Sequence, residues 1–388
     1  MPDIPIPAVL YRGGTSRGLL FLEEHVPVSR ELLAPILLRA FGSPDTRQID
    51  GAGGATSLTS KAIIVGADAG PDADVHMLFA QVGVTTPTVD FGGNCGNMTA
   101  AVGPFAIEAG LVAVVEPITV VRIRSVNTGV FVRAHVPVRR GRVVTEGDFA
   151  IAGVPGTAAR LDLEWLRPGG ALTGRLLPTG RPRDEFVLSD GRRIEVSIVD
   201  AGNPSVFCAA SSLGLTGTEL PAVIEQNAAA MRALEEIRSI TGEMLGIVRS
   251  RADATRSSPG LPKVAFVARS ADYRTTTGEL LSADTHDFQA RLMSMQTAHR
   301  TYAGAGSIAT SVAARIPGTV VFECASDASG DRGRVRIAHP GGVMDVGIDM
   351  GGTAAEPEVL SATVPRTARR IMSGEVWVPE SLVPSPVT

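Results

Sequence analysis

Two side chains of this sequence are candidates for proton-transfer chemistry, the thiol of Cys95 and the amine of Lys61. Cys95 precedes a run of small, mostly apolar residues that predicts a buried helix. A cysteine at a helix N-terminus is typical of reactive thiolates, because the helix dipole stabilises the negative sulfur. Lys61 and Lys263 are the only lysines among 36 lysines and arginines. A lysine acts as a base where its surroundings lower its pKa, whereas an arginine keeps its proton.

The predicted helix start at Cys95 has a second copy further along the chain. Residues 94–101 and 304–311 share a glycine, a small polar residue and a following run of small residues. Two such starts offer unpaired backbone N–H groups, which suit an anion held between them. Ala305 replaces the cysteine in the second copy, so the expected site is chemically asymmetric. The substrate contacts predicted at the two starts are Asn94, Gly96, Asn97, Gly306 and Ser307.

A glycine-rich loop near the N-terminus has the groups that bind a carboxylate. Residues 12–17 supply backbone N–H groups, the hydroxyls of Thr15 and Ser16, and the guanidiniums of Arg12 and Arg17. Arginine binds a carboxylate through two parallel hydrogen bonds, so this loop is a candidate substrate contact. The other predicted contacts, for each of which a structural role is the alternative, are Ser60, Asn127, Asn203 and His299.

Composition excludes several classes of function. A net charge of −4 provides no basic field for nucleic acid, and no apolar run is long enough to cross a membrane. Three scattered cysteines predict free thiols and a cytoplasmic location, not a disulfide framework. One histidine near the second motif copy, with no further ligand at metal spacing, argues against a metal site. We therefore expect a small-molecule polycarboxylate as the partner and no cofactor, and leave a homodimer open.

The length of 388 residues predicts two domains. Turn-forming residues near 178–190 place a boundary there, giving domains at 1–185 and 186–365. A final strand within 366–388 completes one of the two. The hydrophobic spacing predicts helices near 29–40 and 220–246, and a helix that Pro104 kinks or delays. The β-branched run at 319–322 predicts a strand.

Seven motifs, in order, resemble one enzyme family. They are Arg12–Gly18, Ser43–Gly54, Ser57–Lys61, Gly93–Asn97, Gly153–Gly156, Leu177–Gly180 and Ala313–Thr319. The set resembles the family of 4-oxalomesaconate tautomerase and 2-methylaconitate cis–trans isomerase over nearly the whole chain. The resemblance implies an α+β, diaminopimelate-epimerase-like fold. That fold has two pseudo-symmetric domains, each a curled, mostly antiparallel sheet around a central helix, with the active site in the cleft between them.

The same resemblance implies a function. Lys61 and Cys95 match the lysine and cysteine that the family uses in proton transfer. The expected enzyme is a cofactor-independent isomerase or tautomerase that moves a double bond in an unsaturated di- or tricarboxylate of the 4-oxalomesaconate, 2-methylaconitate or aconitate type. Lys61 is the expected base, and Cys95 the partner acid or stabiliser. Arg17 departs from the lysine of many relatives, which implies a changed carboxylate contact.

Two other functions stay open on the sequence. One is an epimerase or racemase with a single thiol, although Ala305 argues against the two-cysteine mechanism of proline racemases. The other is a protein that binds a tricarboxylate without reacting with it.

Overall fold

The computed structural model describes residues 2–325, 333–353 and 356–383. The strands are β1 Asp3–Gly13, β2 Ser16–Leu22, β3 Lys61–Ala67, β4 Val75–Val82, β5 Val89–Asp90, β6 Ile118–Ser125, β7 Phe131–Arg139, β8 Arg142–Val143, β9 Leu161–Leu166, β10 Asp184–Val187, β11 Arg193–Ala201, β12 Asn203–Ala209, β13 Lys263–Arg269, β14 Tyr273–Arg274, β15 Leu280–Leu281, β16 Phe288–Ser294, β17 Thr297–Ala298, β18 Arg334–His339, β19 Gly342–Gly352, β20 Pro357–Arg366 and β21 Ala368–Pro379. The helices are α1 Arg30–Phe41, α2 Gly96–Glu108, α3 Pro221–Gln226, α4 Ala228–Met244, α5 Ala254–Ser257, α6 Gly304–Ala313 and α7 Val320–Cys324. Within the described ranges, no helix is both long and apolar enough to span a membrane.

The described residues form two compact units. The first unit contains residues up to 150, residues 156–163 and the C-terminal segment from 366. The second contains residues 151–155 and 164–365.

In the first unit, a strongly curved sheet surrounds helix α2. β1 pairs antiparallel with β2 and with the C-terminal strand β21, and β2 runs parallel to β3. β3 then pairs antiparallel with β4, which runs parallel to β6. Helix α2 is buried along almost its whole length and packs against strands on several sides of the curve. Its small residues allow this, because a backbone can approach a sheet closely only where side chains are short.

The second unit repeats this arrangement of strands around helix α6. β11 and β12 are antiparallel, β12 and β13 parallel, β13 and β16 antiparallel, and β16 and β18 parallel. Every residue of α6 is buried, and the helix packs against β11, β12 and β19. The two units therefore share one order of parallel and antiparallel pairings, as expected of a duplicated fold.

The first unit ends at Leu163, earlier in the chain than the boundary expected near residue 185. The segment that follows has the glycines and prolines of a linker, but it is tied into the second unit. The carboxylate of Asp200 accepts hydrogen bonds from the backbone N–H groups of Leu172 and Thr173, at 2.9 and 2.7 Å. Turn-forming residues alone do not distinguish such a packed loop from a linker.

Three predicted elements differ from the observed ones. The strand predicted at 319–322 is wrong: helix α7 begins there, because the Thr319 hydroxyl caps it by accepting from the Phe322 N–H at 3.1 Å. The helix predicted at 220–246 is two helices, separated at Asn227, whose side chain caps the second one. Helix α2 begins directly after Cys95 and continues through Pro104, so the predicted late start is also wrong.

Candidate active site

The position of Lys61 is set by three neighbouring strands. Lys61 begins β3, where it is paired with Gly18 of β2 on one side and with Gln81 of β4 on the other. A side chain at Gly18 would collide with the backbone carbonyl of Lys61, so the absence of a Cβ there allows the two strands to lie together. This packing holds the lysine between two strands, inside the first unit.

The Lys61 side chain is buried, with only 6% of the residue exposed. Its Nζ donates a hydrogen bond to Oε1 of Gln81 and lies 5.3 Å from the centre of the Phe79 ring. Burial lowers the pKa of Lys61, because a charged ammonium loses its hydration there. Negative charge on Cys95 and Asp90 acts in the opposite direction. Lys61 and Cys95 are therefore close enough to interact electrostatically.

Gln81 is part of this site and was not predicted from the sequence. Its Nε2 donates to the backbone carbonyls of Ser60 and Ser57, at 2.9 and 3.2 Å. These bonds fix the amide so that its oxygen faces Lys61. A glutamine in an apolar strand gives no functional signal by itself, and only its pairing opposite Lys61 would have indicated its role.

Cys95 is the residue that directly precedes helix α2. It is partly exposed, and its side chain makes no capping hydrogen bond. Its backbone carbonyl instead accepts from the N–H and the hydroxyl of Thr99, at 2.9 and 3.0 Å. The sulfur thus lies at the positive end of the helix without being used to cap it.

Two of the predicted contacts, Asn94 and Asn127, hold the approach to Cys95 in place. The amide of Asn94 donates to the Thr128 hydroxyl at 2.5 Å and accepts from the Ser125 hydroxyl. Asn127 accepts from the N–H of Phe79 and donates to the carbonyls of Phe79 and Phe91, all within 2.9 Å. Both donors of the Asn127 amide are therefore used by the backbone, which gives this residue a structural role.

The loop at residues 12–17 contains two buried polar atoms that point to a ligand. The hydroxyl of Ser16 and Nε of Arg17 are buried and have no hydrogen-bond partner among the described residues. Such atoms are rare in folded proteins, because each one costs free energy unless something binds it. Arg12 differs: its Nη1 donates to the carbonyls of Gly14 and Thr367, at 2.9 and 3.0 Å, and so holds the loop itself.

The same loop is joined to helix α2 through Asn97. Its Nδ2 donates to the Thr15 hydroxyl at 3.0 Å, and its Oδ1 accepts from Nε of Arg366 at 3.1 Å. Gly13 lies so close to the helix that an added Cβ would be 3.0 Å from the Cα of Met98. Arg366 is a second unpredicted member of the site, since it is far from the other residues in sequence.

Ser60 is buried, and its hydroxyl serves the loop before Lys61. It donates to Oε1 of Gln48 at 2.7 Å, and the same oxygen accepts from the N–H of Ala55. Gln48 also donates to the Ser43 hydroxyl at 2.9 Å. This network, centred on a buried glutamine, gives the loop of residues 43–60 a fixed shape.

Four of the predicted contacts belong to the second unit. The Ser307 hydroxyl donates to the carbonyl of Gly304 at 2.7 Å, within its own helix. Gly306 packs against a side chain of the sheet: an added Cβ would lie 2.8 Å from Cδ1 of Leu292. Nδ1 of His299 accepts from the N–H of Thr301 at 3.1 Å, and Asn203 is buried at the start of β12. Their contact with a substrate stays a prediction.

Comparison with known proteins gives a consistent group of relatives. The model of the PrpF protein family matches residues 3–379. The chain is 46% identical to the 3-methylitaconate isomerase of Eubacterium barkeri, over 96% of this chain and 97% of that protein. It is 38% identical to the 2-methyl-aconitate isomerase of Cupriavidus necator, over 98% of each chain. It is also 38% identical to the 4-oxalomesaconate tautomerase of Pseudomonas putida, over 97% of each chain.

Solved structures confirm the predicted fold class. A methylitaconate-delta-isomerase aligns with a TM-score of 0.79 and 44% identity, over 100% of this chain and 99% of that one. A hydroxyproline epimerase from Agrobacterium vitis aligns at 0.58, over 98% and 94% of the two chains, but with 14% identity, which shows the fold alone. The resemblance read from the sequence motifs is therefore correct. The chain is an isomerase and belongs to the PrpF protein family.

Proposed function

We propose that this isomerase moves a carbon–carbon double bond by proton transfer within an unsaturated di- or tricarboxylate, without a cofactor. The substrate class is that of the methylitaconate, methylaconitate and oxalomesaconate named for its relatives. The observation that carries the proposal is the buried Lys61, whose amine interacts with Cys95 and whose pKa is lowered by burial. A buried amine beside a thiol has no structural purpose that a hydrophobic side chain would not serve better.

In this mechanism the neutral amine of Lys61 is the base. It removes a proton from a carbon next to the conjugated double bond, and the electrons of that C–H bond form the new double bond. The negative charge passes to a carboxylate or ketone of the substrate, and a proton returns at the allylic carbon. The lowered pKa of Lys61 favours this role, since a general base must be deprotonated near the working pH. Cys95 either returns the proton or stabilises the intermediate.

The loop of residues 12–17 supplies the carboxylate site in this proposal. The buried Ser16 hydroxyl and Arg17 Nε are donors without a partner among the described residues, and a carboxylate accepts from both kinds of group. The N–H groups at the start of α2 add further donors beside the sulfur. These donors stabilise an enolate more than the substrate, because its oxygens carry more negative charge.

Proton NMR in D₂O tests the function directly. The purified enzyme is incubated with methylitaconate, 2-methylaconitate, aconitate and 4-oxalomesaconate, and the alkene and methyl signals are followed. We expect at least one acid to show movement of its double bond together with deuterium at the allylic carbon. Deuterium entering a stereocentre without such movement would instead indicate an epimerase. Tight binding of aconitate with no change in its spectrum would indicate a binding protein.

The cellular context proposed here is a reducing compartment. Cys95, Cys208 and Cys324 are all free cysteines, and a reactive thiol stays reduced in the cytoplasm.

A further inference from the structure

Arg366, at the end of β20, is a cation buried in the first unit, beside the start of α2. Only 3% of the residue is exposed. Its side chain packs against the loop at Gly14, where an added Cβ would lie 3.1 Å from Cδ of Arg366. Its Nε donates to Oδ1 of Asn97 at 3.1 Å, and Asn97 in turn holds the hydroxyl of Thr15. Arg366 therefore contacts both parts of the site that flank Cys95.

The charge on Arg366 differs in kind from that on Lys61. Burial lowers the pKa of Arg366 to about 10, and negative charge on Cys95 acts against this change. A guanidinium with that pKa is still protonated at neutral pH. Burial also lowers the pKa of Lys61, and an ammonium starts from a lower value than a guanidinium. Of these two cations that interact with Cys95, the lysine is the one that can become neutral.

We propose that Arg366 is the permanent positive charge of this site and positions a substrate carboxylate beside the sulfur of Cys95. This assignment rests on the proposed function and adds to it a named binding residue. A neutral Lys61 cannot attract an anion, so a base mechanism needs a second, constant cation. Arg366 meets that need, because it is held by Asn97 on the same helix turn that begins at Cys95.

Alkylation of Cys95 by two reagents of similar size tests the charge without any turnover. Iodoacetate carries a carboxylate and iodoacetamide is neutral, and both transfer their carbon to the sulfur with loss of iodide. The ratio of their rate constants at Cys95, read by mass spectrometry of its peptide, reports the local potential. We expect the wild-type ratio to exceed that of glutathione by about tenfold, because a buried cation attracts the anionic reagent.

Four variants separate Arg366 from its surroundings. Arg366→Gln should lower the ratio to near that of glutathione, and Arg366→Lys should restore most of it. Arg369→Gln removes an exposed arginine three residues away and should leave the ratio within about twofold. Lys61→Met should also leave the ratio within about twofold, although turnover is lost. In steady-state kinetics, Arg366→Gln should raise KM more than it lowers kcat.

The outcomes decide the matter separately from the proposed function. A ratio that is unchanged in Arg366→Gln, or that falls equally in Lys61→Met, would overturn the assignment even if the enzyme isomerises one of the four acids. A fall confined to Arg366→Gln would support it even if none of those acids reacts. If Arg366→Gln does not fold, the wild-type ratio and Lys61→Met decide, and a wild-type ratio equal to that of glutathione overturns the assignment.

Discussion

The two helix starts that look alike in sequence differ in the structure. Helix α2 begins at Gly96, so Cys95 stands before the first turn and is partly exposed. Helix α6 begins at Gly304, so Ala305, the counterpart of Cys95, lies inside the first turn and is buried. The sulfur of the first copy thus lies at the positive end of a helix dipole, whereas the second copy has an apolar methyl group enclosed by its sheet.

The surroundings of the two starts differ as well. The first start is accompanied by Lys61, Arg366 and two donors without partners among the described residues. At the second start, the Ser307 hydroxyl bonds to its own helix, and Thr310 bonds to the carbonyl of Gly306 at 2.7 Å. A duplicated helix start therefore becomes reactive only where distant parts of the chain bring charges to it.

The largest expected effect comes from removing the proposed base. Lys61→Ala should reduce kcat by about 10³-fold or more, which is the scale of a lost general base. Lys263→Ala, which removes the other lysine of the chain, should change kcat by less than about threefold. Rates are followed by NMR with the substrate that the screen identifies, and folding by circular dichroism. Substantial turnover in a folded Lys61→Ala enzyme would contradict the mechanism.

The comparison of the two starts is tested by giving the second copy a thiol. In Ala305→Cys we expect the new thiol to react with iodoacetamide at least about 100-fold more slowly than Cys95, because it is buried within a helix. Both rates come from peptide mass spectrometry of the same sample. Cys208 serves as an unreactive reference, since burial raises its pKa to about 12. Similar rates at the two positions would mean that the helix start alone makes a thiol reactive.

The environment of Lys61 is tested through the pH dependence of the rate. Gln81→Glu places a carboxylate where Lys61 now meets an amide, which stabilises the ammonium and raises the pKa of Lys61 by about 1–3 pH units. Because the base must be neutral, kcat/KM falls on the acid side of that pKa. The acid limb should therefore move to higher pH, lowering activity at pH 7 about tenfold or more while the alkaline plateau recovers.

Gln226→Glu adds the same charge at an exposed helix end and should leave the pH profile unchanged. An acid limb that stays in place in Gln81→Glu would show that Lys61 is not the titrating base.

The smallest expected effect concerns packing in the second unit. Gly306→Ala would place a methyl group 2.8 Å from Leu292, so we expect a loss of about 1–3 kcal/mol in the free energy of unfolding. Gly374→Ala, in strand β21, has open space around the new Cβ and should cost much less. Urea unfolding followed by circular dichroism measures both variants. Equal stability of the two would mean that α6 is less tightly enclosed than its contacts indicate.

Much of the fold was predictable because short-range patterns encode it. Helix α1 and strands β3 and β6 lie where hydrophobic spacing places them. The duplication was also visible, because a buried central helix needs a run of small residues in each unit. The strand predicted at Thr319 failed for a local reason: β-branched residues favour strands, but one threonine hydroxyl that caps a backbone N–H was enough to begin a helix.

Predictability of the site was limited by the distance between its parts in the chain. Lys61 and Cys95 were found as unusual residues in unusual surroundings. Gln81 and Arg366 were missed, because a glutamine in a strand and one arginine among many carry no signal until their neighbours are known. Asn127, predicted as a contact from its turn sequence, uses its amide to join two backbone segments.

The sequence by itself determined the family, the fold class and the identity of the reactive side chains, since motifs and periodicity are local properties. The tertiary structure decided which amine is desolvated, which polar atoms lack partners and which arginine interacts with the thiol. The reason is physical: the pKa and reactivity of a group depend on its burial and on charges within a few ångströms, and these come from strands that are distant in sequence.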